Sequence, residues 1–209
     1  MAAVAFAGER EGTRERWTTL SLRPHFPATK DVGARDQVVV VDVGRGMYGE
    51  RLARARKLAS DVIDNMDRRD RVTVLACDTQ CTQLRAGFVP PGAAAASDVR
   101  AFLGDVKPDG ASDIAAAVMA ATNVQGHDAS RPLRVTLLSS GSPSAGYREP
   151  VRLGRQVASI ARDKAQIVTV AVTPEADVNA LEAVARAGGG VFISYAPGRA
   201  IADVSRDVL

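Results

Sequence analysis

A chain of 209 residues with 46% hydrophobic and 24% charged residues has the balance of one globular domain with extras, which excludes a disordered chain, a membrane-embedded protein and two full-sized independent domains. The formal net charge is +3, with 27 Lys and Arg set among 24 Asp and Glu, and aromatic residues are 4% of the chain, so the basic and stacking surface of a nucleic-acid binder is not expected. The early apolar stretch AAVAFAG is too short to span a bilayer and has no basic residue between it and Met1, so neither membrane insertion nor a secretory signal is expected.

Residues 1–35 are charge-rich around Gly8 to Arg16, then strand-like in WTTLSLRP from Trp17 to Pro24, then loop-like with His25, Pro27 and Gly33. They break the periodicity that follows and read as a linker or the tail of an upstream domain, leaving one domain over residues 36–209. From Gln37 onward, short β-branched runs alternate with amphipathic ones, the mark of an α/β fold with a mainly parallel sheet. Strands are predicted at Gln37 to Asp42, Arg71 to Cys77, Leu133 to Ser139, Ile167 to Val172 and Val191 to Ser194, with Thr82 to Arg85 as a short antiparallel edge strand paired back on the second.

The first helix is predicted from Glu50 to Asp67, with Leu52, Ala55, Ala59, Val62, Ile63 and Met66 on one face and its Arg51, Arg54, Arg56 and Lys57 forming a solvated basic face. Ser97 is the expected cap of a helix burying Val99, Phe102, Leu103 and Val106, and Ser112 that of an Ala-rich helix running to about Val124. Later helices read from Pro150 to Asp163, from Asp177 to Ala187 with Gly188 to Gly190 as the stop, and from Arg199 to the end. The fold class is therefore a doubly wound, Rossmann-like α/β sheet with helices on both faces. Cys77 and Cys81, in CDTQC, have neither the C-x-x-C spacing of redox and zinc sites nor that of a disulfide framework. A hairpin would set them opposite each other, but two half-buried free thiols in a reducing, cytoplasmic setting are the expectation.

Between the first strand and first helix stands VVVVDVGRGMYGE, with Gly44, Gly46 and Gly49 spaced as in G-x-G-x-x-G. A dinucleotide site needs its first glycine directly after the strand and an acidic residue closing the second strand some 20 residues on. Here Asp42 sets a carboxylate where the pyrophosphate would approach, Asp78 lies too far along, and Asp67 falls in the loop NMDRRDR. A nucleotide-binding enzyme using this loop is an alternative reading that few of the surroundings support.

A different pattern uses the same crevice. DVGRG (Asp42 to Gly46), DGASD (Asp109 to Asp113) and LLSSGSP (Leu137 to Pro143) would converge above the carboxyl ends of the strands, where doubly wound sheets bind ligands. In these pieces the chain resembles a von Willebrand factor A domain, from Gln37 to Leu209. That family carries a metal-ion-dependent adhesion site, D-x-S-x-S with a later threonine and an aspartate ending the fourth strand. The join after WTTLSLRP is similar to that in proteins with an inter-alpha-trypsin-inhibitor-type (VIT) domain just before the A domain. Gly44 and Gly46 stand where the family has serines, Ser112 where it has threonine and Ser140 where it has the second aspartate. The resemblance therefore implies a vestigial metal site of Asp42, Ser112 and Ser140, short of the oxygen ligands that Mg²⁺ takes. Asp113 is explained by the dipole of the helix it opens.

The serines Ser139, Ser140, Ser142 and Ser144 lack the G-x-S-x-G setting and a base, since His25 and His127 fall in loops far from them, so ordinary loop serines are expected. Asp109 and Asp113 flank a turn, where capping is the common reason for Asp. Arg45, Met47 and Tyr48 crown the crevice rim, and these residue types are enriched in protein interfaces. The expectation is a non-enzymatic protein-interaction module within a longer multidomain protein, without cofactor, whose partner is another protein. A working Mg²⁺- or Mn²⁺-dependent adhesion domain, with water completing the coordination, is the nearer alternative.

Overall fold

Short aliphatic and β-branched runs alternating with helical spacing build this molecule, and a computed structural model describes residues 2–9, 16–23 and 33–209. The chain divides into two units, Met1–Val32 and Gly33–Leu209. In the first, β1 (Ala2–Glu9) pairs antiparallel with β2 (Arg16–Arg23), Ala5 opposite Leu20 and Gly8 opposite Trp17. AAVAFAG is thus a strand, and β2 covers the strand predicted from Trp17 as far as Arg23. His25 and Pro27 lie outside the described residues.

The second unit is a six-stranded sheet, in which β3 (Asp36–Asp42), β4 (Arg71–Cys77), β6 (Leu133–Ser139), β7 (Gln166–Ala171) and β8 (Phe192–Ile193) run parallel. Only β5 (Cys81–Gln83) runs antiparallel, against β4, and the spatial order is β5-β4-β3-β6-β7-β8. Because side chains alternate along a strand, the VVVV run serves two cores at once. Val39 and Val41 pack under α1 (Glu50–Asn65), α2 (Ala93–Asp105) and α6 (Ile201–Val208). Val38 and Val40 pack under α3 (Ile114–Thr122), α4 (Pro150–Ala161) and α5 (Val178–Ala187). This is the expected doubly wound fold.

Its details correct several expectations. The edge strand is one residue earlier than Thr82, which places Cys81 directly opposite Cys77, and the two form a disulfide instead of free thiols. Ser97 lies inside α2, whose cap is Gly92 at φ 133°, a conformation open to glycine. Ser112 caps nothing: the carboxylate of Asp113 accepts the Ala116 N–H at 3.0 Å and takes the capping role at α3. Ser112 is thereby left free to turn inward.

Candidate functional site

The chain goes from β3 to β4 on one side and later returns to β6 on the other, so the strand order reverses between β3 and β6. The crevice at such a reversal is where open α/β sheets take their ligands. Asp42 ends β3 and Ser139 ends β6, both at its floor. Asp42 is 4% exposed, and its two oxygens accept hydrogen bonds from the Gly44 N–H at 2.9 Å, the Ser112 hydroxyl at 3.0 Å and the Ser139 hydroxyl at 2.6 Å. Ser139 Oγ in turn accepts the Gly141 N–H at 2.9 Å. One carboxylate therefore ties three loops together. Burial pushes the Asp42 carboxyl up; bonds from Ser139, Gly44 and Ser112 pull it back without cancelling that push, and the negative charge of Asp78 adds to it.

Of the predicted metal-site residues, the structure brings Ser112 to Asp42 and does not bring Ser140. The Ser140 side chain is 3% exposed and gives Asp42 no hydrogen bond; its backbone carbonyl accepts the Asp177 N–H at 2.8 Å. The third partner is Ser139, which sequence reading left among the ordinary loop serines. Its place as the last residue of β6 was the signal, because the strand end, not the loop, faces Asp42.

Gly44 and Gly46 differ in what their missing side chains allow. A Cβ on Gly44 would lie 2.9 Å from both Cβ and N of Ser112, whereas one on Gly46 would meet Ser140 Oγ at an ordinary 3.9 Å. Glycine at 44 is thus what lets Ser112 close onto Asp42. The same loop leaves little for a pyrophosphate: the Gly44 N–H is spent on Asp42, and Glu50 opens α1 with a negative charge.

The rim is smaller than expected. Arg45 is exposed, with its guanidinium 3.4 Å from the Asp109 carboxylate, and Tyr48 is 78% exposed. Met47 is 1% exposed and belongs to the core beneath α1, so it is removed from the rim: the 3-10 turn Arg45–Met47 rotates it inward while its neighbours stay outside. As cation ligands, the crevice floor offers the Asp42 carboxylate, already accepting three bonds, and hydroxyls already donating to it. Mg²⁺ takes about six oxygens in near-octahedral array, most often with further carboxylates. Among the described residues no group of three or more His, Cys, Asp or Glu could hold a metal ion.

The opposite end of β3 holds a cluster that sequence reading missed. Asp36 is fully buried and accepts two bonds from Arg71, at 2.9 and 2.7 Å, one from Arg131 at 2.9 Å and one from the Asp128 N–H at 2.9 Å, with His127 Nδ1 at 3.0 Å. Burial pushes this carboxyl up, but the bonds from Arg71, Asp128 and His127 and the charge of Arg71 outweigh it and hold the group below its ordinary value. His127, read as a plain loop residue, is a member of this knot.

With the geometry in hand, a family model described as von Willebrand factor type A domain matches residues 36–193. The chain belongs to that family. Among solved structures, the A domain resembles a von Willebrand factor type A protein from Catenulispora acidiphila, at TM-score 0.72 and 13% identity, over 84% of this chain and 42% of that one. It also resembles an aerotolerance-related membrane protein from Bacteroides fragilis, at TM-score 0.68 and 14% identity, over 83% of this chain and 96% of that one. A third likeness is to proximal thread matrix protein 1 from the mussel byssus with a zinc-occupied MIDAS motif, at TM-score 0.65 and 15% identity, over 85% of this chain and 46% of that one. At such identities the likeness is one of fold. No curated protein sequence matches the chain.

Proposed function

We propose that this A domain is a non-enzymatic protein-interaction module whose crevice rim meets its partner without a bridging cation, its metal site being degenerate. Domains of this family generally mediate protein–protein interaction. The observation that carries the finer reading is Asp42: its oxygens are spent on Gly44, Ser112 and Ser139, and Gly44 is packed against Ser112 where a ligating serine would have to stand. Exposed Arg45 and Tyr48 then supply the rim contacts, residue types that anchor interfaces. Residues 1–35 fit the role of an upstream tail, of VIT type by the resemblance, in a longer multidomain protein. Among the described residues no helix is long and apolar enough to cross a membrane. The Cys77–Cys81 disulfide favours an oxidising compartment over the cytoplasm, and two free thiols per chain in the protein purified from its own cells would argue against that.

The test is thermal unfolding in EDTA, then with millimolar Mg²⁺, Mn²⁺, Ca²⁺, Zn²⁺ or NAD. A ligand bound only by the native state must raise the Tm. The expected result is indifference to all five. The zinc of the mussel relative makes the metal arms the sharp ones. A rise with one metal that Asp42→Ala abolishes would overturn the metal-free reading, and a rise with NAD alone would favour the nucleotide reading.

A further inference from the structure

The three arginines of the basic stretch of α1 that stands out in the sequence are occupied at home. Arg51 donates to the Gly46 carbonyl at 2.9 Å and pairs with Glu175 at 3.5 Å, Arg54 lies 4.6 Å over the ring of Tyr195, and Arg56 donates to the Val106 carbonyl at 2.8 Å. The cations of α4 are different. Arg152, Arg155 and Arg162 follow one another at helical spacing along its outer edge, with Arg148 before them and Lys164 after, and all five are exposed. Arg152, Arg155, Arg162 and Lys164 make no side-chain hydrogen bond or ion pair among the described residues, and Arg148 donates only to the Ser144 carbonyl, at 2.5 Å.

The acids beside this row offset it in part: backbone N–H groups of Val151 and Arg152 hold the Glu149 carboxyl below its ordinary value, and the charges of Arg152 and Arg155 add to that. The Glu149 carboxylate caps α4, accepting the N–H groups of Val151 and Arg152, both at 2.9 Å, and Glu182 pairs with Arg186 at 3.7 Å. Asp163 stands exposed in the turn between Arg162 and Lys164. At the crevice end of the row lie Tyr147 and Val151, 45% and 57% exposed; at the other end is a cleft of about 600 Å³ whose walls include Ala158, Arg162, Asp163 and Lys164.

We propose that the outer edge of α4 is a docking surface for an acidic segment of a protein partner. The carboxylates of that segment meet Arg148, Arg152, Arg155 and Arg162, and an apolar side chain of it sits on Tyr147 and Val151. Guanidinium groups hold carboxylates in two-pronged pairs and are weakly hydrated, so they suit this use better than lysines. The helix of 12 residues is about 18 Å long, enough to face several turns of an acidic helix or an extended acidic strand. Nucleic acid fits less well because the cations form a single row with one aromatic beside it, and a lipid surface less well because the large apolar groups stop at the crevice end. The inference rests on the reading of this domain as an interaction module, but it uses a surface apart from the Asp42 loop.

The experiment is fluorescence anisotropy of labelled poly-L-glutamate titrated with the full chain at low and at high salt. The triple variant Arg152→Glu/Arg155→Glu/Arg162→Glu is compared with a charge-matched control, Lys57→Glu/Lys107→Glu/Arg206→Glu. Circular dichroism checks the fold of both, and if the triple variant is not folded, Arg155→Ala alone is used. The wild type and the control are expected to bind alike, and the α4 variant to lose at least about tenfold, with Arg155→Ala losing part of that; salt weakens all binding. Absence of wild-type binding at low salt, or equal losses in the two triple variants, would overturn the proposal. So would tighter binding to duplex DNA or to phosphatidylglycerol vesicles than to poly-L-glutamate. Arg45→Ala/Tyr48→Ala should leave poly-L-glutamate binding unchanged, so failure at α4 and failure of the rim reading are told apart.

Discussion

Strand β3 begins and ends with a buried aspartate, and the two are opposites. Asp36 at the start is met by two arginines, a histidine and a backbone N–H, whereas Asp42 at the end is met by two hydroxyls and a backbone N–H, with no cation in contact. The same side chain in the same strand is thus held below its ordinary pKa at one end and above it at the other. Burial opposes the ionised form at both ends, and the bonds from Arg71, Asp128 and His127 with the charge of Arg71 outweigh it at Asp36, whereas those from Ser139, Gly44 and Ser112 do not at Asp42. The Asp36 end is a structural knot joining the starts of β3, β4 and β6. The Asp42 end is a tie between the strand ends and loops at the carboxyl edge of the sheet.

Asp36→Ala should have the largest effect, because it leaves Arg71 and Arg131 without their shared partner. Removing one member of a buried ion pair costs about 3–5 kcal/mol, and urea unfolding at neutral pH measures it. A loss below about 1 kcal/mol would dissolve the contrast between the two ends. Asp42→Ala strips three donors of their acceptor and should cost about 1–3 kcal/mol. Asp42→Asn, which keeps hydrogen-bonding capacity and removes the buried charge, should cost less than Asp42→Ala.

Acid sharpens the same comparison. Asp36 titrates below its unfolded value near 3.8, so its stabilisation is present above that value and is lost as pH falls through the folded one. Asp42 titrates above 3.8 in the folded state, so its proton favours folding below that value, and this contribution fades as pH rises through the folded value. Unfolding of Asp42→Asn followed against pH should therefore gain on the wild type as pH rises from about 4 toward neutrality. A constant difference would mean that Asp42 is not strained by its charge. The glycines give a paired test that ends on the smallest effect: Gly44→Ala should cost about 1–3 kcal/mol through its clash with Ser112, and Gly46→Ala should stay within about 0.5 kcal/mol.

The fold class and the two-faced core were legible because VVVV and the apolar spacing of α1 are local patterns that a doubly wound sheet satisfies. What stayed hidden depended on distance or register. Arg71 and Arg131 are 35 and 95 residues from Asp36, and no local spacing announces that they share it. The disulfide required knowing that β5 starts at Cys81, a shift of one residue. In the crevice, Asp42 and Ser112 were both legible as members of one site, but Ser112 was also read as the cap of α3, a role that Asp113 takes, since either residue type can cap a helix and only packing decides which one does. Met47 was misplaced because a 3-10 turn breaks the periodicity by which exposure is read from sequence.

The central claim is that Asp42 is an occupied, cation-free tie. It is tested most directly by following the Asp42 carboxyl carbon resonance against pH, in EDTA and again in millimolar Mg²⁺. The account predicts a midpoint above 3.8 that Mg²⁺ does not move, because the oxygens are already engaged by Gly44, Ser112 and Ser139. A midpoint driven down by Mg²⁺ would show that the cation displaces the hydroxyls and that the adhesion site still works.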